Sequence, residues 1–305
     1  MGCLGINLIK FRLQQGRKLM RRCGLQQKQV KIEASNTTLD CWVPSAAKEG
    51  RPALLLLHGF VFNALLEWEN QLLAFTEKFN VYVPNLLFFG ESTTESGERS
   101  EIFQAQCMKL MLDELQVLDR VHALGTSYGG MVAFWMAHLY PERIARVVLA
   151  SSGVAMDHSD SQRMLERFGG GVAHPADVLM PRSVQVARKT MEFATQKKLA
   201  LVPDCLVEDI IEEVLCYNRE HRLELLDGMA IGSVENPPVV PQLVQDVLIL
   251  WGENDQIFTV DLAHRLQSRH LSDSKLEIIP GAAHAPQVDN PKAFNGLVVK
   301  FLSGN

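Results

Sequence analysis

A serine at the centre of a glycine-flanked pentapeptide is the first candidate for chemistry. Ser127 lies in Gly-Thr-Ser-Tyr-Gly at residues 125–129, between an apolar stretch of strand length at 121–124 and a helical stretch from 129. A serine at a sharp strand-to-helix turn presents its hydroxyl clear of the sheet, and the glycines let the backbone pass closely. The pattern in this setting predicts a nucleophile, whereas the pentapeptide alone is a weak signal.

A serine hydroxyl becomes a good nucleophile only when a base removes its proton. Among the nine histidines, His284 is favoured because it follows a predicted strand at 276–279, at the sheet edge that carries the serine. The base needs a carboxylate that fixes its tautomer. Asp255 follows a predicted strand at 247–251, with Glu253 as the near competitor. The chain order therefore predicts a triad of Ser127, Asp255 and His284.

The attacked carbonyl becomes an oxyanion, which needs fixed N–H donors. The first donor predicted is the backbone N–H of Tyr128, directly after the nucleophile. The second is the N–H of Phe60, in the loop His-Gly-Phe that follows an apolar stretch at 53–57. His58, Gly59 and Phe62, in or beside the same loop, are predicted to contact the substrate.

The elements that position these residues alternate along the chain. Strands are predicted at 30–33, 38–43, 53–57, 81–83, 121–124, 144–150, 247–251 and 276–279, and helices at 63–78, 100–118, 129–139, 262–269 and 294–302. Strands that alternate with helices indicate a mostly parallel, doubly wound α/β sheet. Residues 152–241 break this rhythm with helical stretches, including one at 207–226. We therefore expect an α/β core at 28–151 and 242–305, a helical cap at 152–241, and a basic N-terminal segment at 1–27.

Four separated motifs resemble, in order, those of the α/β-hydrolase superfamily: residues 58–60, the serine turn, residues 252–255 and residues 281–286. The resemblance covers about residues 28–305 and is greatest to cap-containing serine hydrolases: plant α/β-hydrolases, monoacylglycerol-lipase-like enzymes and meta-cleavage-product hydrolases. It implies the α/β-hydrolase fold with an all-helical cap. Ser127 argues against the epoxide hydrolases and dehalogenases of this fold, which use an aspartate nucleophile. Asn85 and Phe88 stand where the family often has Asp and Gly.

Composition excludes several other classes. The 305 residues are 47% hydrophobic and 21% charged, and the apolar stretches are too short to span a membrane. The six cysteines are scattered without a C-x-x-C pair, so we expect reduced thiols and neither a zinc site nor a redox motif. The sequence also has no P-loop or dinucleotide fingerprint, so we expect no metal and no cofactor. Residues 1–32 hold eight Lys or Arg and no acid, which leaves 22 basic and 35 acidic side chains elsewhere. An acidic body of this kind is not typical of a protein that binds nucleic acid, so we expect no nucleic-acid partner.

The basic N-terminal segment has several interpretations. Met1-Gly2-Cys3 would permit acylation, although Ile6 stands where the usual motif has Ser or Thr. The other three interpretations are a basic amphipathic helix on a membrane, an organelle transit peptide and a loosely packed arm. We expect a cytoplasmic protein, with peripheral membrane contact through residues 1–27 or organelle targeting as alternatives.

The expected function is a serine esterase or lipase that cleaves lipophilic or monoacylglycerol-like carboxylic esters through an acyl-enzyme. Two alternatives stay open. One is a small-molecule receptor of this fold with little turnover, and the other is a hydrolase of C–C bonds that uses the same triad.

Overall fold

A computed structural model describes residues 7–197, 202–229 and 239–304. The described chain folds around one sheet with the strand order β1-β2-β4-β3-β6-β7-β8-β9, and β5 pairs with β2. The six strands from β4 to β9 in this order run parallel, whereas β1, β2 and β5 pair antiparallel at one end. The strands are β1 (Leu25–Ile32), β2 (Thr37–Pro44), β3 (Ala53–Leu57), β4 (Asn80–Pro84), β5 (Thr93–Thr94), β6 (Val121–Thr126), β7 (Ile144–Ala150), β8 (Asp246–Gly252) and β9 (Lys275–Ile279).

Helices cover both faces of this sheet, and further helices lie between β7 and β8. The helices are α1 (Leu8–Arg22), α2 (Ala64–Glu67), α3 (Leu72–Thr76), α4 (Glu101–Glu114), α5 (Tyr128–Leu139), α6 (His158–Phe168), α7 (Pro175–Leu179), α8 (Val184–Ala194), α9 (Asp204–Ile210), α10 (Arg219–Asp227), α11 (Val260–His270), α12 (Pro286–Asp289) and α13 (Pro291–Leu302). This architecture confirms the predicted α/β-hydrolase fold with a mostly parallel, doubly wound sheet.

The central strand β3 shows why the sheet is buried on both faces. Leu55 and Leu57 pack in one apolar cluster with residues of α4, α5 and α11. Leu54 and Leu56 pack in a second cluster with residues of α1, α3 and α13. Successive side chains of a strand point to opposite faces, so a run of leucines serves two cores at once.

The N-terminal segment is packed and is not a loose arm over its described residues. Ile9, Gly16 and Met20 of α1 are buried, and Met20 belongs to the same cluster as Leu54. β1 begins at Leu25, three residues before the predicted start of the core. The acylation motif at residues 1–6 lies outside the described residues. Among the residues described, no helix has the length and apolar character needed to cross a bilayer.

Two predicted helices are interrupted. The stretch 63–78 contains α2 and α3, and α2 ends at Glu67, with Trp68 as its C-cap. Glu67 and Trp68 are both buried, so the helix ends where the chain enters the core. The stretch 207–226 contains α9, a π-helical turn and α10, and Asn218 at φ 48° breaks the helix.

Between β7 and β8 the described residues form the helices α6 to α10 and no strand. The division of the chain into a core and a separate cap domain stays a prediction. The expectation that all thiols are reduced is wrong at Cys205, which is disulfide-bonded, whereas Cys23, Cys41, Cys107 and Cys216 are free.

Candidate active site

Ser127 occupies a strained turn between β6 and α5. Its φ of 51° and ψ of −116° lie where residues with a side chain are rare. A Cβ on Gly125 would lie 2.1 Å from the carbonyl oxygen of Gly129, and one on Gly129 would lie 2.2 Å from the carbonyl oxygen of Leu57. Both positions therefore require glycine. The hydroxyl of Ser152 donates to the carbonyl oxygen of Ser127 at 2.8 Å and helps to hold the turn.

The structure brings the three predicted triad residues together. His284 Nε2 lies 3.1 Å from Ser127 Oγ, and His284 Nδ1 lies 2.9 Å from Asp255 Oδ2. The Asp255 side chain is fully buried, and the His284 side chain is 11% exposed. The imidazole thus joins the serine hydroxyl to a buried carboxylate, which is the arrangement that proton transfer from serine requires.

The second oxygen of Asp255 anchors the carboxylate. Oδ1 accepts hydrogen bonds from the backbone N–H groups of Ile257 and Phe258, both at 2.9 Å. The Phe258 ring packs edge-on against the His284 ring at 5.2 Å between centroids. Glu253, the competing acid, instead accepts from the backbone N–H of Gly281 at 2.9 Å. The acid that hydrogen-bonds to His284 is therefore Asp255, which is the one that the sequence favoured.

The two residues predicted as oxyanion donors lie beside the serine. Tyr128 is the first residue of α5, and a Cβ on Gly59 would lie 3.5 Å from the Cβ of Ser127. The loop after β3 therefore passes next to the nucleophile, and Phe60 is the following residue. The Phe60 and Tyr128 rings pack edge-on at 5.8 Å.

His58 is not among the described residues that line the cavity, and its contact with substrate stays a prediction. It is fully buried. Its Nε2 accepts from the N–H of Leu86 at 3.0 Å, and its Nδ1 lies 2.7 Å from the carbonyl oxygen of Gly59. Burial lowers the pKa of His58 to about 4. The neutral ring therefore supports the loop after β3 from within the core.

A cavity of about 340 Å³ opens above the serine. Phe60 and Tyr128 are among its described lining residues. Gly59 and Phe62 are not, and their contacts with substrate stay predictions. Phe62 packs against a cluster that contains Val207 and Ile211. The described lining is Phe60, Ser127, Tyr128, Met131, Met156, His158, Ser161, Met164, His174, Pro175, Leu179, Leu226, Asp227, Met229, Ile257 and Phe258.

The sequence patterns did not predict two buried acidic or basic residues at this site. Arg222 of α10 is 1% exposed and donates to the carbonyl oxygens of Phe60 and Val214, each at 2.7 Å. Burial lowers the pKa of Arg222 to about 10, so the guanidinium stays charged at neutral pH. Glu67 is also buried and accepts from the Thr126 hydroxyl at 2.8 Å. Each lies in a stretch predicted as an ordinary helix. Glu67 stands among apolar residues, which is a weak signal of burial, whereas the neighbours of Arg222 are mostly polar and give none.

The two departures from the family motif have structural reasons. Asn85 is buried and donates through Nδ2 to Asp40 Oδ2 at 2.7 Å. An aspartate there would set two carboxylates against each other, so the amide suits this neighbour. Phe88 has φ 71°, the left-handed region where glycine is unstrained. Its ring stacks on His221 at 4.8 Å between centroids and also lies under the guanidinium of Arg99.

Comparison with known proteins agrees with this fold. A family profile described as alpha/beta hydrolase fold matches residues 52–186. A 2-hydroxy-6-oxononadienedioate/2-hydroxy-6-oxononatrienedioate hydrolase of Escherichia coli is 26% identical over 216 residues, which cover 70% of this chain and 72% of that enzyme. An uncharacterised Mycobacterium tuberculosis protein is 27% identical over 262 residues, which cover 82% of this chain and 75% of that protein.

Among solved structures, the carboxylesterase CesB of Bacillus subtilis matches with a TM-score of 0.71 at 20% identity. The match covers 97% of this chain and 98% of CesB. At this identity the likeness shows the fold. Together with the profile match and the sheet order, these findings define an α/β-hydrolase-fold protein. The chain thus has the α/β-hydrolase fold, and residues 52–186 resemble the profile of that name.

Proposed function

We propose that this protein is a serine hydrolase that cleaves carboxylic esters through an acyl-enzyme. The observation that carries the proposal is the continuous chain of contacts from Ser127 Oγ through His284 to Asp255, at 3.1 Å and 2.9 Å. Asp255 favours the tautomer with a proton on Nδ1, which leaves Nε2 free to accept the serine proton. Ser127 then attacks the ester carbonyl as its proton moves to His284.

The later steps use the same groups. The backbone N–H groups of Tyr128 and Phe60 stabilise the oxyanion. His284 protonates the departing alcohol, which leaves an acyl group on Ser127. A water molecule that loses its proton to His284 then releases the acid and restores the serine. Each oxyanion donor of this kind contributes roughly a hundredfold to a thousandfold in rate.

The cavity favours an uncharged, lipophilic ester. Its wall is mainly apolar, with Met131, Met164 and Leu179 among its residues, and none of the described lining residues is Lys or Arg. The hydrolase of Escherichia coli that resembles this chain acts, by its name, on dienedioates, which carry two carboxylates. A carboxylate buried in this cavity would lack a cationic partner, which is energetically costly. Ester cleavage is therefore favoured over C–C bond hydrolysis.

A series of p-nitrophenyl esters of increasing acyl length, with monoacylglycerols added, tests the proposal. We expect many turnovers per protein and an optimum at a chain that fills about 340 Å³. A single slow turnover, with ligand binding that persists, would instead identify a receptor. Cleavage of a dienedioate but of no ester would support the C–C hydrolase.

We also propose that α1 rests on an anionic membrane. Phe11 is 50% exposed, and Lys18 and Arg22 lie on the same outward face, opposite the buried Ile9 and Met20. Each basic side chain near an anionic surface contributes about 1 kcal/mol.

Sedimentation with phosphatidylserine vesicles tests this contact on the full chain, since removing residues 1–27 would also remove part of β1. We expect binding to these vesicles and not to neutral ones. Binding should fall in Lys18→Glu/Arg22→Glu and persist in Lys48→Glu, which changes an exposed lysine before β3. Equal sedimentation of all three proteins would contradict the proposal.

A further inference from the structure

A second buried carboxylate lies behind the catalytic residues. Glu67, the last residue of α2, is 8% exposed. Its Oε1 accepts a hydrogen bond from the Thr126 hydroxyl at 2.8 Å and one from Gln287 Nε2 at 2.7 Å. The backbone N–H of Gly59 also lies close enough to this carboxyl group to lower its pKa. Three segments that are distant in sequence therefore converge on one side chain.

Each of these three partners is close in sequence to a residue of the proposed mechanism. Thr126 directly precedes Ser127, Gly59 directly precedes Phe60, and Gln287 follows His284 by three residues. Gln287 is held in turn, since Gln71 Nε2 donates to its carbonyl oxygen at 2.9 Å. Glu67 thus ties together the nucleophile turn, the oxyanion loop and the histidine loop.

The hydrogen-bond pattern favours the ionised carboxylate. Gln287 Nε2 is a donor, and the Thr126 hydroxyl can donate to the same carboxylate oxygen, so both bonds suit an ionised Glu67. Burial raises the pKa of Glu67, and the hydrogen bonds from Thr126 and Gln287 oppose that rise. The charge also attracts a protonated His284, with which Glu67 interacts electrostatically.

We propose that Glu67 is a positioning residue for the triad. It fixes the three loops relative to one another, and its negative charge favours the imidazolium that forms when His284 takes the serine proton. The inference rests on the proposed function, because it assigns Glu67 a part in the same reaction. Asp255 contacts the imidazole directly, whereas Glu67 acts through the loops and through its charge.

The test compares Glu67→Gln with Glu69→Gln, which removes an acid two residues away that pairs with Arg12. The readouts are kcat/KM for an ester and the rate of inactivation by a fluorophosphonate, both across pH. We expect Glu67→Gln to lower kcat/KM roughly tenfold to a hundredfold. The acid limb of its pH profile should move down by about one pH unit, because a charge that favours the imidazolium is lost. Glu69→Gln should match the wild type.

A purely structural role would lower activity without moving the acid limb, and that result would overturn the proposal, as would an unchanged profile and rate. If Glu67→Gln does not fold, Thr126→Val and Thr126→Ser replace it. The valine variant should be slower than the serine variant, and equal rates would overturn the proposal. Absence of inactivation in the wild type would contradict the proposed function itself, which distinguishes the two failures.

Discussion

The two sides of the cavity above Ser127, the proposed catalytic cavity, are built differently. On the sheet side, Ser127, Asp255 and His284 lie on turns that follow β6, β8 and β9, and hydrogen bonds join them at 3.1 Å and 2.9 Å. On the opposite side, α6 and α7 contribute side chains such as Met164 and Leu179 that make mainly apolar contacts. Directional bonds set a geometry that tolerates little change, whereas apolar walls tolerate changes of volume. We infer that the sheet side determines the reaction and the helical side the range of substrates.

A loss on the sheet side should have the largest effect on rate. In Asp255→Asn, the amide can donate to His284 Nδ1 and thereby favour the tautomer that cannot accept the serine proton. We expect kcat to fall by about four orders of magnitude, measured on the best p-nitrophenyl ester. Glu253→Gln is the matched control, since Glu253 bonds to Gly281 and not to the histidine. Equal losses in the two variants would contradict the assignment.

Arg222 of α10 joins the helical side to the sheet side, because it donates to the carbonyl oxygen of Phe60 in the loop after β3. Arg222→Leu removes the donor from the carbonyl oxygens of Phe60 and Val214, and leaves both buried without it. We expect the free energy of unfolding to fall by about 3 kcal/mol, measured by urea titration, because these bonds are charge-assisted. Arg163→Leu changes an arginine whose side chain is 51% exposed and should cost less than about 1 kcal/mol. Similar losses of unfolding free energy in the two variants would show that Arg222 does not hold the two sides together.

Buried histidine on the sheet side should make stability depend on pH. The pKa of His58 is lowered to about 4, whereas an unfolded histidine titrates near 6.5. Between these values the unfolded state binds the extra proton, so stability falls as pH decreases from 6.5 to 4. The contribution of His58 is about 3 kcal/mol, and His122, with its pKa also lowered to about 4, has the same sign.

Urea titrations from pH 7 to pH 4.5 measure this slope. It should be smaller in His58→Gln than in the wild type. It should be unchanged in His158→Gln, because that ring is exposed on the helical side. A wild-type stability that stays constant over this range would exclude the effect.

The smallest effect is expected on the helical side. Met164 is buried and lines the cavity, so Met164→Ala should enlarge it. We expect the best acyl chain to lengthen, with roughly a fourfold gain in kcat/KM for each added methylene that fits, or about 0.8 kcal/mol. Leu165→Ala changes a neighbour outside the described lining and should leave the optimum in place. A collapse in activity on all esters would contradict the division between the two sides.

The sequence was sufficient to predict the strands and the placement of site residues on the sheet side, because the sequence patterns that indicate them are local. Ser127, Asp255 and His284 each follow a strand, and parallel strands place such residues at one edge. Apolar runs such as residues 53–57 identify the buried strands directly. These patterns depend on a few neighbours in the chain, so they can be recognised without knowing the tertiary contacts.

The rest could not be predicted because it depends on long-range packing. His58 bonds to Leu86, which is 28 residues away. Glu67 and Gln287 meet across 220 residues, and neither belongs to a recognisable motif. The helical break at Asn218, which precedes the helix that carries Arg222, also has no simple sequence signal. Such contacts become visible only once the chain is folded.

Labelling with a fluorophosphonate tests the central claim most directly. The reagent forms a covalent adduct with a serine that a neighbouring base activates, and it requires no knowledge of the natural substrate. The wild-type protein should acquire one adduct, mapped to Ser127 by mass spectrometry, and folded Ser127→Ala should acquire none. Labelling of Ser127→Ala at the wild-type rate, or no labelling of the folded wild-type protein, would contradict the account.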